Sequence, residues 1–369
     1  MKIAADHKYL QYSGRINFED QSAPEFVFPC SYVRMRFRGA AVKVIVRNQN
    51  NYWDNYLGVI IDGQQRKIKL SNEGEMQILE LMADGEIKGM ECPASGEMQE
   101  ALLSDEREQI HDLLLFKRQD ACHMFKFYGF VIEGEAEILP PPEKPQRRIE
   151  VYGDSVSAGE VSEALEFAGK EDPVHDGEYS NSWYSYAWMT ARKLNAELHD
   201  IAQGGIALLD HTGWFCEPDY VGMETAYNKI LYNPAFGRIK SWDFDSYRPH
   251  VVIVAIGQND NHPIDYMKED YNCRQAIHWR AHYKQFIEKL REIYPDAEIV
   301  LATTILAHDE AWDRSIEQIC QELADKKVHH FLYTKNGTGT PGHVRIPEAE
   351  QMAEELSAFI NSLGKRIWE

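Results

Sequence analysis

The stretch Ile149-Glu150-Val151-Tyr152-Gly153-Asp154-Ser155-Val156-Ser157 carries the strongest information about the fold of this chain. An apolar, strand-like run stops abruptly at glycine, aspartate and serine, which predicts a β-strand that ends in a tight polar turn. A serine at the carboxyl end of a strand sits in the crevice where open α/β sheets bind ligands. The pattern is typical of a nucleophile, and the structural alternative is an ordinary strand-to-helix turn with Asp154 or Ser155 as the N-cap.

Strand and helix patterns alternate from this stretch to the carboxyl terminus. Apolar runs predict further strands, and 3.6-residue periodicity predicts helices between them; the strands are 197–201, 251–256, 298–302 and 328–333, and the helices are 183–194, 276–294, 310–325 and 347–363. Buried strands that alternate with helices predict a parallel sheet with helices on both faces, hence a doubly wound α/β domain. We expect the charged segment 160–180 to be an exposed loop.

The amino-terminal part of the chain has a different texture. Short β-rich runs separated by turn residues predict an all-β sandwich, with Asp62-Gly63 as a two-residue hairpin turn. The proline-rich stretch that follows is unsuited to a helix or a central strand. We therefore expect a β-sandwich domain at 1–139, a linker at 140–147 and an α/β domain at 148–369.

Composition excludes several functional classes. The 369 residues include 44% hydrophobic and 27% charged residues, and no run approaches the roughly 18 apolar residues that a membrane helix needs. A formal net charge of −20 without a basic stripe argues against nucleic acid and anionic membranes, whereas neutral sugars remain compatible. The amino terminus lacks the apolar core of a signal peptide, so we expect a cytoplasmic protein. The sequence leaves the oligomeric state open, and it is compatible with a homo-oligomer.

The six cysteines, Cys30, Cys92, Cys122, Cys216, Cys273 and Cys320, lack CxxC spacing. They predict neither a disulfide framework nor a zinc site. We expect no metal and no cofactor.

Three polar turns are predicted to meet at one edge of the sheet. Ser155 follows the first strand, Gly204-Gly205 follows 197–201, and Gly257-Gln258-Asn259-Asp260 follows 251–256. His343 lies in a loop before the last helix, from which it can return to that edge. A nucleophile, a base and oxyanion donors are the groups that ester hydrolysis requires.

In these residues the chain resembles the SGNH (GDSL-type) hydrolases, whose serine, glycine, asparagine and histidine occur in this order. The resemblance implies a flavodoxin-like three-layer α/β/α fold with Ser155 as nucleophile and His343 as base. It also implies an oxyanion hole made by the backbone amides of Ser155 and Gly205 and the side-chain amide of Asn259. Because the motif reads Gln203-Gly204-Gly205, which glycine donates is left open.

One departure concerns the base. Many SGNH hydrolases carry an aspartate three residues before the histidine, where this chain has Thr340. We therefore expect a Ser-His dyad in which a backbone carbonyl accepts from Nδ1 of His343. The competing hypothesis is an acid supplied from elsewhere in the chain.

The missing aspartate and the amino-terminal sandwich together resemble carbohydrate esterase family 2. Gly14-Arg15-Ile16, Phe28-Pro29-Cys30-Ser31 and Phe37-Arg38-Gly39 resemble parts of the jelly-roll domain of that family. The resemblance implies removal of acetyl groups from acetylated plant-wall oligosaccharides or polysaccharides.

Two further residues are candidates for binding substrate. The face of Trp214 can stack on a sugar ring, with core packing as its alternative, and His262 can line the same cleft or simply be solvated. The rival functions are a short-chain lipid or thioester hydrolase on the same scaffold, and a catalytically inert glycan-binding protein.

Overall fold

The amino-terminal part of the chain folds as a sandwich of two antiparallel β-sheets. The computed structural model describes residues 1–83, 86 and 109–369, so Cys92 lies outside the described residues. The first sheet contains β1 (Lys2–Ala4), β3 (Ile16–Asn17), β4 (Glu25–Phe26), β6 (Ala41–Gln49), β9 (Met76–Met82) and β11 (Met124–Glu133). The second contains β2 (Gln11–Ser13), β5 (Tyr32–Arg38), β7 (Tyr56–Ile61), β8 (Gln64–Lys69), β10 (His111–Lys117) and β12 (Glu137–Leu139).

Period-two alternation builds the core of the sandwich. In β5 every second residue is buried, and Val33, Met35 and Phe37 face the opposite sheet. The predicted hairpin is confirmed: Ile61 pairs with Gln64, and the two turn residues have φ values of 51° and 81°. Positive φ at both turn positions is what a type I′ turn requires, which explains Asp-Gly there.

A five-stranded parallel sheet forms the centre of the carboxyl-terminal domain. Its strands are β13 (Arg147–Gly153), β14 (Ala196–Ala202), β17 (Val251–Ala255), β18 (Glu298–Ala302) and β19 (Val328–His330), in the order β14-β13-β17-β18-β19. This 2-1-3-4-5 order is flavodoxin-like and confirms the predicted fold class. The order reverses at β13, so the binding crevice is expected at the carboxyl ends of β13 and its neighbours. A small hairpin, β15 (Lys229–Leu231) and β16 (Lys240–Ser241), lies outside this sheet.

Helices cover both faces of the parallel sheet. The chain contains α1 (Ser155–Ala158), α2 (Tyr186–Lys193), α3 (Met223–Ala226), α4 (Tyr266–Glu269), α5 (Arg274–Ile293), α6 (Glu310–Leu323) and α7 (Ile346–Ser362). Alternate residues of β17 divide between the faces: Ile253 packs in the cluster that includes α2 and α7, and Val254 packs in the one that includes α5 and α6. Within the described ranges, no helix is both long and apolar enough to cross a membrane.

Some element boundaries differ from the prediction. The predicted helix at 183–194 is divided, because the side chain of Ser185 accepts from Trp188 N and starts α2 there, after a short 3₁₀ turn at Ser182–Tyr184. The last strand ends at His330, three residues early. Between the end of β12 at Leu139 and the start of β13 at Arg147 lies the proline-rich stretch.

Candidate active site

A cavity of about 590 Å³ opens at the carboxyl ends of β13, β14 and β17. Ser155, Gly205, Asn259 and His343 all line it, so the structure brings together the four motif residues that sequence reasoning selected. The sandwich domain also contributes lining residues, namely Tyr52, Trp53, Asp120 and Cys122. The cavity is therefore a joint product of the two domains.

The turn after β13 presents Ser155 to this cavity. Asp154 is the N-cap of α1, since its Oδ1 accepts from Val156 N at 3.0 Å. Its Oδ2 accepts from Gln258 Nε2 at 2.6 Å and so ties this turn to the turn after β17. The capping role thus belongs to Asp154, and within the described residues the Ser155 hydroxyl makes no hydrogen bond. Burial raises the pKa of Asp154 to about 6, against the opposing effect of these hydrogen bonds.

Two residues that line the cavity have a backbone N–H without a protein acceptor among the described residues. Gly204 N donates to Asp120 Oδ2 at 2.6 Å, whereas neither Ser155 N nor Gly205 N has an acceptor in the described part of the chain. This difference favours Gly205 over Gly204 as an oxyanion donor. Gly205 has φ of +71°, and a Cβ there would come within 2.7 Å of Trp214 Cβ, so the position requires glycine.

The side-chain amide of Asn259 lies next to these donors but is already engaged. Its Nδ2 donates to Asp154 Oδ2 and to Ile206 O, each at 3.1 Å. These are ordinary hydrogen-bond distances at the long side of the usual range. An oxyanion would have to share one of these two hydrogens.

His343 is oriented by a carboxylate, so the expectation of a backbone carbonyl on Nδ1 is wrong. Asp172 Oδ2 lies 2.6 Å from His343 Nδ1, and Asp172 Oδ1 accepts from His343 N at 2.8 Å. Arg345 Nη2 donates to the same Oδ1 at 2.6 Å and holds the carboxylate from the other side. The observed arrangement agrees with the competing hypothesis, in which an acid from elsewhere in the chain orients His343.

The segment that supplies this acid is only partly the exposed loop that we expected. Residues 160–162 and 180 are buried and most of 165–171 is exposed, but Asp172 is half-buried against His343. Gly342 permits the approach, because a Cβ there would lie 2.7 Å from Asp172 Oδ1. Thr340, at the usual position of the acid, is buried and its backbone bridges to Leu306.

A second histidine extends the hydrogen-bonded chain behind the base. His175 Nε2 lies 3.1 Å from Asp172 Oδ2, and its Nδ1 lies 3.1 Å from Glu160 Oε1. These two carboxylates raise the pKa of His175 to about 10. Burial alone would raise the pKa of Asp172, but its hydrogen bonds to His175 and His343 outweigh burial and hold that pKa well below its usual range.

The same environment acts on His343. Burial opposes the charged ring, but the hydrogen bond to Asp172 and the carboxylates of Glu160 and Asp172 prevail and raise its pKa, while the charge of His175 lowers it. No hydrogen bond joins Ser155 Oγ to His343 Nε2 in the described structure. Catalytic hydrogen bonds are often long before substrate binds.

Among the described residues, Asp172, His175 and His343 also form a cluster whose side-chain ligand atoms are close enough together to bind a metal ion. One such atom from each lies within 4.8 Å of the others. These atoms are hydrogen-bonded to one another through Asp172 Oδ2, and a metal would have to displace the bond that orients His343. The arrangement therefore suits proton transfer at His343.

Aromatic side chains line the cavity mouth. Trp214 is 55% exposed and lines the cavity, and its indole stacks on His262 with ring centroids 3.4 Å apart. His262 does not line the cavity; its ring packs against one face of the Trp214 indole. Tyr52 and Trp53 also line the cavity and come from the sandwich domain. No local pattern distinguishes them, because only docking of the domains brings them to the site.

Comparison with protein families and curated proteins assigns both parts of the chain. Residues 12–88 match the model of the carbohydrate esterase 2 N-terminal domain, and residues 151–335 match that of the GDSL-like lipase/acylhydrolase family. The chain is 27% identical over 97% of its length to a cellulase/esterase of Acetivibrio thermocellus, and it spans only 40% of that protein. It is 26% identical over 98% of its length to an acetylxylan esterase/glucomannan deacetylase of Cellvibrio japonicus, of which it spans 90%.

Solved structures share the two-domain fold. A family two carbohydrate esterase from Clostridium thermocellum, in complex with cellohexaose, matches with a TM-score of 0.74 and 24% identity over 98% of this chain and 100% of that chain. A family two carbohydrate esterase from Cellvibrio japonicus matches with a TM-score of 0.77 and 23% identity over 100% of this chain and 98% of that chain. The predicted jelly-roll sandwich followed by an SGNH-type domain is thereby confirmed.

Proposed function

We propose that this chain, which belongs to the GDSL-like lipase/acylhydrolase family, is a carbohydrate O-acetylesterase acting on xylan-type or other plant-wall saccharides. The observation that carries the proposal is one cavity lined by Ser155, Gly205 and His343, with His343 held by a carboxylate. Nucleophile, oxyanion donor, base and orienting acid are the parts of a serine hydrolase. The chemistry is therefore serine carboxylic-ester hydrolysis, and it requires no cofactor.

The acylation step follows from the arrangement of these groups. Ser155 Oγ attacks the acetyl carbonyl carbon while its proton passes to His343 Nε2. Asp172 accepts the hydrogen on Nδ1, which keeps the Nε2 lone pair available and stabilises the imidazolium that forms. The tetrahedral intermediate collapses to acetyl-Ser155, and the sugar oxygen leaves with the proton from His343.

Deacylation repeats these steps with water as the nucleophile. His343 removes a proton from water, the hydroxide attacks acetyl-Ser155, and acetate leaves as Ser155 recovers its proton. The N–H groups of Ser155 and Gly205 stabilise the oxyanion in both steps, and Asn259 assists by sharing a hydrogen of its Nδ2.

The substrate class is supported by the rim of the cavity and by the relatives. Trp214, which has one face on His262, offers the other face of its indole as a platform for a sugar ring. A neutral saccharide also avoids the electrostatic repulsion that a net charge of −20 exerts on anionic ligands. A Cellvibrio relative carries the name acetylxylan esterase/glucomannan deacetylase, which agrees with this class.

The decisive test compares two serines of the same turn. Ser155→Ala should abolish acetate release from acetylated xylan and glucomannan, since it removes the nucleophile. Ser157→Ala is the matched control, because the Ser157 hydroxyl contacts Tyr186 OH at 2.7 Å instead of lining the cavity. Near-wild-type turnover of folded Ser155→Ala would refute the acyl-enzyme. An inactive wild type that still binds saccharides would identify the rival function, an inert glycan-binding protein.

A further inference from the structure

The β-sandwich places a buried carboxylate against the turn that holds the candidate oxyanion donor. Asp120 lies in the loop between β10 and β11, is 5% exposed and lines the cavity. Its Oδ2 accepts from Gly204 N at 2.6 Å and from Gln203 Nε2 at 2.7 Å, both in the turn after β14. One side chain of the first domain thus binds two consecutive residues of the second.

These contacts fix the direction of the Gly205 N–H. Gln203 Nε2, held by Asp120, also donates to Gly204 O at 3.2 Å, and Tyr232 OH donates to Gln203 Oε1 at 3.0 Å. Gly204 O and Gly205 N belong to one planar trans peptide group, so they point in opposite directions. Holding Gly204 O therefore orients the Gly205 N–H, which is left without a protein acceptor in the described structure.

The loop that carries Asp120 is itself anchored. Lys117 is fully buried, and its Nζ donates to the carbonyl oxygens of Gln119 and Asp120 at 2.7 and 2.6 Å. Ala121 N donates to Ala202 O at 3.3 Å and joins the loop to the last residue of β14. The Lys117 ammonium also lowers the pKa of Asp120, although burial and the nearby Glu160 carboxylate outweigh it and raise that pKa.

We propose that Asp120 is a positioning residue for the oxyanion hole, so that the sandwich domain is part of the catalytic machinery rather than an appended binding module. The inference rests on the proposed esterase function. A donor that is already aimed at the developing oxyanion stabilises the transition state more than the ground state. Loss of Asp120 should consequently reduce kcat and leave KM nearly unchanged.

The experiment uses the full-length chain and p-nitrophenyl acetate. Asp120→Ala should lower kcat by about 10- to 100-fold, with KM within roughly twofold of wild type, because one donor loses its orientation without being removed. Asp120→Asn should recover part of the loss, since its amide oxygen can still accept from Gly204 N. Glu135→Ala, at an exposed sandwich acid, is the control for a general effect on this domain.

A second readout separates positioning from a purely structural role. A p-nitrophenyl alkylphosphonate reacts when Ser155 Oγ bonds to phosphorus, p-nitrophenolate leaves and the hydroxyl proton passes to His343. Its inactivation rate should fall in Asp120→Ala about as much as kcat does. Binding of an unacetylated xylo-oligosaccharide, measured by calorimetry, should stay within twofold, because it requires no oxyanion.

The outcomes are distinct. Wild-type kcat in Asp120→Ala, or a loss confined to KM, overturns the positioning role while leaving the esterase proposal intact. If Asp120→Ala does not fold, Gln203→Met removes the donor to Gly204 O at similar volume, and an unchanged kcat in that variant is equally decisive against the inference. Failure of the wild type to cleave acetyl esters would instead refute the proposed function.

Discussion

Asp172 Oδ2 lies 2.6 Å from Nδ1 of His343, although 171 residues separate the two in the chain. The segment between the nucleophile turn and α2 thus supplies an acid that many related hydrolases carry three residues before the histidine. Because Asp172 also binds His343 N and Arg345, it fixes both the ring and the backbone of the loop that presents the base. Ser155 and His343 line the same cavity, and Asp172 orients the base from behind.

We expect Asp172→Asn to reduce kcat on p-nitrophenyl acetate by about 10³- to 10⁴-fold, since the corresponding change in a serine-protease triad costs about 10⁴ by selecting the wrong tautomer. The acidic limb of the pH profile of kcat/KM should also move to lower pH, because the carboxylate that raises the pKa of His343 is gone. Glu171→Gln, at the exposed neighbouring acid, is the matched control and should behave as wild type.

Other acids near the motifs should matter much less. Asp309 caps α6 and Glu348 caps α7, and neither contacts His343. Asp309→Asn and Glu348→Gln should therefore lose at most roughly tenfold, through local packing. A collapse in either variant, with Asp172→Asn unaffected, would contradict the triad.

The His175 ion pairs should make stability depend on pH. The pKa of His175 is raised to about 10 in the folded state from an ordinary value of 6.5, so the folded chain binds this proton more tightly. This contribution to stability is fully present below about pH 6.5 and is lost as the pH rises through about 10. Urea unfolding at pH 6, 8 and 10 should show a decline that is flatter in His175→Gln; identical slopes in both proteins would exclude this linkage.

Acyl chain length distinguishes the acetylesterase from the lipid or thioester hydrolase. p-Nitrophenyl acetate should be cleaved much faster than p-nitrophenyl octanoate. The cavity is lined by carboxylates and aromatic side chains, and its described residues do not form a long aliphatic tunnel for an octanoyl chain. Initial rates at equal substrate concentration are the measurement. Rates that stay equal or rise with chain length would favour the rival function.

Trp214 should act on saccharide binding alone. Trp214→Ala should raise KM for acetylated xylo-oligosaccharides roughly 10-fold and leave p-nitrophenyl acetate turnover nearly unchanged, because an aromatic platform contributes about 1 to 1.5 kcal/mol. Ile264→Ala, at an exposed apolar residue outside the cavity lining, is the control. Equal losses on both substrates would show that the Trp214 side chain supports the geometry of the catalytic site instead of binding the saccharide.

Local patterns in the amino-acid sequence were enough to predict the two-domain architecture, the flavodoxin-like sheet and the four motif residues. These properties depend on local information: period-two and 3.6-residue patterns, turn chemistry at Asp62-Gly63, and polar residues directly after buried strands. Since the carboxyl ends of parallel strands lie at one edge of a sheet, local motifs were sufficient to bring Ser155, Gly205 and Asn259 together.

The groups that orient those residues could not be predicted from local patterns, because they come from distant parts of the chain. Asp172 reaches His343 across 171 positions, and Asp120 reaches Gly204 across 84. Such contacts depend on how a loop folds back and how one domain docks on another, and no periodicity in the chain records either. A carboxylate in a polar loop has the same local signature whether it is solvated or buried against a histidine, so its role is fixed only when packing removes the water around it.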